Sequence, residues 1–162
     1  MSAHSEPDWL EANQRQLNRE LAEVRGYLTA GGEVTGDGDQ SEVLDRRDDA
    51  QASALDSLCQ LFGLSDFERD CLLLCAGMEL DSGFAADCLA ADAMGPTFAL
   101  ALAVLPQPNW NAVIPTAPLR QWRLLELEHP GTPTRSRLRI DERILHYLLG
   151  IDYLDERLYG LL

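Results

Sequence analysis

The chain opens with apolar residues at Leu10, Leu17, Leu21, Val24 and Leu28, separated by seven, four, three and four positions. That recurrence predicts an amphipathic helix of about six turns. Ser5, Pro7 and Asp8 supply its start: a capping side chain, a preset φ and a carboxylate near the positive end of the helix dipole. Glu11, Arg15, Asn18, Glu20 and Arg25 are expected on the opposite, solvated face. Helical spacing returns over residues 50–62 through Ala54, Leu55, Leu58, Leu61 and Phe62, with Gly63 as the terminating residue. Ser65 and Glu68 then form an S-x-x-E capping box beside Leu64. The helix that follows is apolar on almost every side beyond Asp70, so it should be central and buried. Asp81 and Ser82 open another short helix, which Gly95 and Pro96 break. Thr97 caps the next, "FALALAVL", which stops at Pro106.

Beyond Pro106 the period changes. Four prolines, Pro106, Pro108, Pro115 and Pro118, punctuate short turns, and Pro118 suits the first position of a helix over Leu119, Trp122, Leu124 and Leu125. Trp110 and Trp122, each beside aliphatic residues, are expected to anchor the core. "LLELEH" and "RSRLRI" alternate in the period-two manner of strands, and "PGTPT" between them is turn chemistry. The expectation is a β-hairpin with Leu138 and Ile140 facing inward. Asp141 caps a helix through Ile144, Leu145, Leu148 and Leu149, and Gly150 ends it. The fold class is therefore mainly α: a helical domain with a winged-helix-like module carrying one short β-hairpin.

Organisation follows from composition. Residues 31–49 hold many acids, several glycines and few apolar side chains, which predicts a flexible acidic linker. Asp37 and Asp39 lack the spacing and distal glutamate of a calcium loop. The chain thus divides into an N-terminal amphipathic helix (1–30), the linker (31–49) and a helical plus winged-helix-like domain (50–162). Two subdomains, about 50–95 and 96–162, are the alternative to a single core.

Charge narrows the function classes. The 162 residues carry 27 acids against 13 basic residues, a formal net charge of −14, and every basic residue is arginine. A polyanion is repelled on average, so nucleic acid is an unlikely partner. The imbalance is uneven: residues 116–162 hold seven acids and seven arginines. Six of those arginines, Arg120, Arg123, Arg135, Arg137, Arg139 and Arg143, form the candidate interaction surface. No apolar run is long enough to cross a bilayer, and the first residues lack the basic and apolar regions of a secretory signal, so the expected location is cytoplasmic, with no membrane partner.

Catalytic and metal chemistry find little support in these residues. Cys71 and Cys75 share a helix face, but neither they nor Cys59 and Cys88 have zinc-site spacing to His4, His129 or His146. Burial as small hydrophobes is the simpler role. Glu142 and His146 share one helix face and read as a surface contact. The expectation is no catalytic residue, no cofactor and no metal.

Three blocks, residues 61–81, 96–127 and 138–158, resemble in order the N-terminal region of large bacterial AAA+ ATPases with variant winged-helix domains, including those associated with phage-tail-like contractile injection systems. The resemblance covers about residues 50–162. It implies an ATPase core beyond Leu162, and the last segment, "DYLDERLYGLL", starts a helical turn without a breaker. No G-x-x-x-x-G-K-[ST] loop occurs, and a chain without lysine cannot supply the phosphate-contacting lysine. ATP and magnesium are therefore expected only with the following core. The implied role is a non-catalytic interaction and regulatory domain whose partners are its own ATPase core and a protein substrate or adaptor. The alternative is a nucleic-acid-binding winged helix, with residues 118–125 in a groove and the hairpin arginines on phosphates. A third reading has the first helix drive homo-oligomerisation.

Overall fold

The computed structural model of the protein describes residues 5–30 and 53–150. The linker expected at 31–49 and the final segment from 151 lie outside the described residues.

Helix α1 (Ser5–Thr29) is the long amphipathic element the leucine spacing predicts. Leu17, Leu21, Val24 and Leu28 are buried, against the helices over Asp66–Leu80 and Ser82–Ala91. Two residues depart from expectation. Leu10 is 36% exposed, and Glu20, assigned to the solvated face, is buried at 1%. Asn13 and Gln16 are buried with it, so the inward stripe reads 13, 16, 17, 20, 21, 24 and 28. Its N-terminal half is polar because it lies where other helices begin and end, and helix termini leave backbone groups that need partners. Asn13 meets that need twice. Its Oδ1 accepts from the Ala54 N–H at 2.7 Å, and its Nδ2 donates to the Leu148 carbonyl at 2.9 Å.

Helix α2 (Ala54–Phe62) is capped by the Ser53 hydroxyl, which accepts from the Asp56 N–H, and ends at Gly63 in the left-handed region (φ 66°). The expected helix began at residue 50; residues 50–52 lie outside the described residues. Helix α3 (Asp66–Leu80) starts with both halves of the capping box in place: the Ser65 Oγ accepts from the Glu68 N–H at 3.2 Å, and the Glu68 carboxylate accepts from the Ser65 N–H at 2.9 Å. It is the centre of the domain, with every residue from Cys71 to Gly77 buried. Helix α4 (Ser82–Ala91) is capped by Asp81 and folds back on α3. Gly77 permits that approach: a Cβ there would lie 2.6 Å from the Phe84 ring.

Helix α5 (Phe98–Val104) takes its cap from the Thr97 hydroxyl. A 3₁₀ turn (Trp110–Val113) and a one-turn helix α6 (Pro118–Gln121) lead to the hairpin. Strands β1 (Leu125–Leu127) and β2 (Leu138–Ile140) are antiparallel, with Leu125 opposite Ile140, Glu126 opposite Arg139 and Leu127 opposite Leu138. The far edge of β2 is tied to the start of α5 by a bridge between Thr97 and Arg137 and by the Leu138 N–H donating to the Pro96 carbonyl at 2.7 Å. Helix α7 (Glu142–Leu148) is capped by Asp141 and terminated at Gly150 (φ 82°). Leu138 and Ile144 are buried, and β2 lies against α3. One connected apolar cluster runs from Leu17 to Leu148 through these elements. The described residues thus form a mainly helical fold with one hairpin.

Candidate interaction surface

Two of the six candidate arginines, Arg137 and Arg139, lie on the hairpin. Two positions apart, they share one face of it, whereas Arg135 lies in the turn before β2. The register puts Glu126 across from Arg139, and the Glu128 N–H donates to the Arg137 carbonyl, which sets Glu128 across from Arg137. Directly opposite residues share a face, so two arginines meet two glutamates and the face is close to neutral. Arg139 is exposed and Arg137 is half-buried. Between this face and the C-terminal half of α3 lies an open cleft of about 240 Å³, lined among others by Cys75, Glu79, Glu128, Arg137 and Arg139. It too carries both signs of charge.

The remaining arginines are scattered. Arg143 folds back on the residue that caps its own helix, with Nε 3.3 Å and Nη2 3.4 Å from the Asp141 carboxylate. The Arg120 Nη1 donates to the Val113 carbonyl at 2.8 Å and pins the 3₁₀ turn to α6. Arg123 is exposed, with its backbone in the left-handed region at φ 56°.

That conformation overturns a sequence expectation. A helix over residues 118–125 was to carry Arg120 and Arg123; it stops at Gln121 after one turn. The Leu124 N–H reaches back to the Leu119 carbonyl at 3.0 Å, Leu124 is buried at 1%, and Leu125 already belongs to β1. Helix spacing and strand pairing compete for the same residues, and the pairing with β2 wins because it also seats Leu124 and Leu125 in the core. A second correction concerns the tryptophans. Trp110 is 66% exposed and Trp122 47% exposed, so neither is a core anchor. The Trp122 ring leans on Phe62, with centroids 5.7 Å apart and planes tilted by 45°.

Titratable groups inside the fold gather elsewhere, at the crossing of α1 and α3. Gln16 Nε2 donates to the Glu20 carboxylate at 3.1 Å, Arg69 Nη1 lies 3.6 Å from Glu20, and Arg69 Nε lies 3.8 Å from Asp70. Two carboxylates thus share one guanidinium. Burial, only partly offset by Arg69 and reinforced by Glu20, Glu23 and Asp66, pushes the Asp70 carboxyl up to about 7. Sequence reading missed this cluster. Its signal was Asp70 within an otherwise apolar helix, together with Gln16 and Glu20 four apart on α1.

Cys71, Cys75 and Cys88 are buried, and burial pushes each thiol up, Cys88 to about 11 and the half-buried Cys59 to about 12. Such thiols pack as small apolar groups and are poor nucleophiles. Among the described residues no three or more His, Cys, Asp or Glu side chains converge as a metal site, and no helix is long and apolar enough to cross a membrane.

The surface therefore consists of a hairpin whose arginines stand opposite glutamates in the register, a one-turn helix before it and a connection with exposed tryptophans. No curated protein and no solved structure matches the chain. A family model described as "Winged helix domain, variant" matches residues 2–105 and 112–162. With helices, wing and nearly every residue of the sequence included in that match, the chain belongs to the variant winged-helix domain family.

Proposed function

We propose that this winged-helix domain is a non-catalytic interaction and regulatory module of a AAA+ family ATPase, acting in the bacterial cytoplasm. It docks a protein substrate, an adaptor or neighbouring subunits and transmits that contact to an ATPase core elsewhere in the same protein. On this reading the domain itself binds no nucleotide or metal.

The observation that carries the protein-binding half is the state of the wing. A groove-reading module presents a helix several turns long and arginines free to meet phosphates. Here the helix before the hairpin is one turn, Arg139 stands opposite Glu126, and Arg143 is held by Asp141. Support for the ATPase half comes from the three sequence blocks that resemble such proteins; the described parts of them make up α3, the run from α5 to β1, and the run from β2 to α7.

Deleting residues 1–162 from the full-length parent tests the reading. The expected result is loss of partner binding or of regulated ATP turnover, with the core's basal hydrolysis retained. A parent that keeps both partner binding and regulation after the deletion would sink it. Titration with duplex DNA at two salt concentrations addresses the alternative: the domain is expected not to bind at low salt, whereas tight binding with a steep salt slope would return the wing to nucleic acid.

A further inference from the structure

Between Asp92 and Glu126 the chain has no acidic residue, although 27 acids occur among its 162 residues. The same interval holds Arg120 and Arg123 and both exposed tryptophans of the connection. Trp122, at the end of α6, rests on Phe62 at the end of α2, and Leu61 beside it is 48% exposed. Trp122 and Leu61 thus flank a partly covered aromatic ring, with Arg123 exposed next in the chain. Asp66, the carboxylate nearest to Phe62 in sequence, sits in the first turn of α3, where the helix N-terminus offsets its charge. Arg123 forms no ion pair among the described residues and holds a left-handed backbone that a glycine would adopt at less cost.

We infer that the face made by Leu61, Phe62, Trp122 and Arg123 docks an acidic segment of a partner protein, one that inserts an aromatic or aliphatic side chain beside Trp122 and sets a carboxylate on Arg123. Tryptophan and arginine together are the residue types that dominate the energetics of protein interfaces, and this is where the fold exposes both. Local charge selects the occupant. A second copy would bring arginine to arginine, whereas an acidic segment meets an exposed arginine in the interval between Asp92 and Glu126, which holds no carboxylate of its own. This rests on the reading of the domain as a protein-interaction module.

The test uses the purified 162-residue chain and a short synthetic peptide in which leucine and tryptophan alternate with aspartate and glutamate. A peptide with lysine replacing each acid and an oligothymidylate of similar length serve as comparisons. The acidic peptide is expected to bind, the lysine peptide is not, and Arg123→Glu is expected to weaken binding about ten-fold, in line with loss of an interface anchor. Trp122→Ser should weaken it at least as much; because Trp122 also touches Phe62, the exposed Arg123→Glu variant decides the matter where Trp122→Ser unfolds. Equal binding of both peptides, binding untouched by Arg123→Glu, or preference for the oligothymidylate would overturn the inference. A failed titration removes this face alone, since the interaction reading stands or falls on the deletion experiment.

Discussion

Along the seam that α1 makes with α2, α3 and α7, Asn13, Gln16, Glu20 and Asp70 are buried, while on the connection between α5 and the hairpin Trp110, Ile114 and Trp122 stand in solvent. The first region buries polar groups because the fold requires partners at helix ends and pairs most of the charges it encloses. The second exposes apolar groups because prolines, a 3₁₀ turn and a left-handed Arg123 break the periodicity that would have turned them inward. Residue type alone thus predicts burial poorly at both sites. Position relative to a shared, regular face is the better guide. The contrast also separates roles: the seam holds the domain together, and the connection is the surface on which the proposed docking is to be tested.

The contrast breaks most readily at Asn13. Asn13→Ala leaves the Ala54 N–H and the Leu148 carbonyl without their buried partner, each group being worth roughly 1–3 kcal/mol, so a loss of about 2–5 kcal/mol is expected in urea denaturation. Trp110→Ser, on the exposed connection, should change stability by less than about 0.5 kcal/mol. Equal losses for the two would erase the distinction between seam and connection.

Asp70 sharpens it through pH. Its carboxyl titrates near 7 in the fold against an ordinary 3.8, so the folded state holds a proton that the unfolded state has released between those values. The stability this contributes is full below 3.8 and is lost as pH rises through about 7. Asp70→Asn cannot ionise and should remove that decline, a flattening on the order of 2–4 kcal/mol between pH 4 and pH 8. Thermal melts of both proteins across that range provide the check. A decline of equal size in Asp70→Asn would assign it to other groups.

Gly77 probes the packed side of α3. With a Cβ held 2.6 Å from the Phe84 ring, Gly77→Ala should cost about 1–3 kcal/mol through overpacking, despite alanine's better helix propensity. A more stable Gly77→Ala protein would mean that α3 and α4 can separate freely. The smallest effect belongs to the connection: Arg123→Gly relieves a left-handed backbone and should stabilise by no more than about 1 kcal/mol. It should also weaken the acidic peptide, and that pairing of greater stability with lost binding is the mark of strain held at a docking face.

Local signals were legible where they are self-contained. Ser65 with Glu68, Gly63, Asp81, Thr97, Asp141 and Gly150 each act as predicted, because a cap or a left-handed glycine depends on a few neighbouring residues. The inward Leu138 and the Pro-Gly turn are of the same kind. The six-arginine surface was legible only as a list. Nothing in the order of residues says that Glu126 will stand across from Arg139, or that Arg120 will be spent on a carbonyl seven residues away.

By itself, then, the sequence determined the caps, the buried character of α3, the hairpin and the acidic balance that disfavours polyanions, all set by interactions along a few turns or by a sum over the chain. Tertiary structure decided which side of α1 carries buried polar groups, where the helix after Pro118 stops and which tryptophans reach solvent. Those outcomes depend on contacts such as Asn13 with Leu148, 135 residues apart, and on a strand winning residues from a helix. Such competitions are settled by what else is packed nearby, and local pattern carries no record of it.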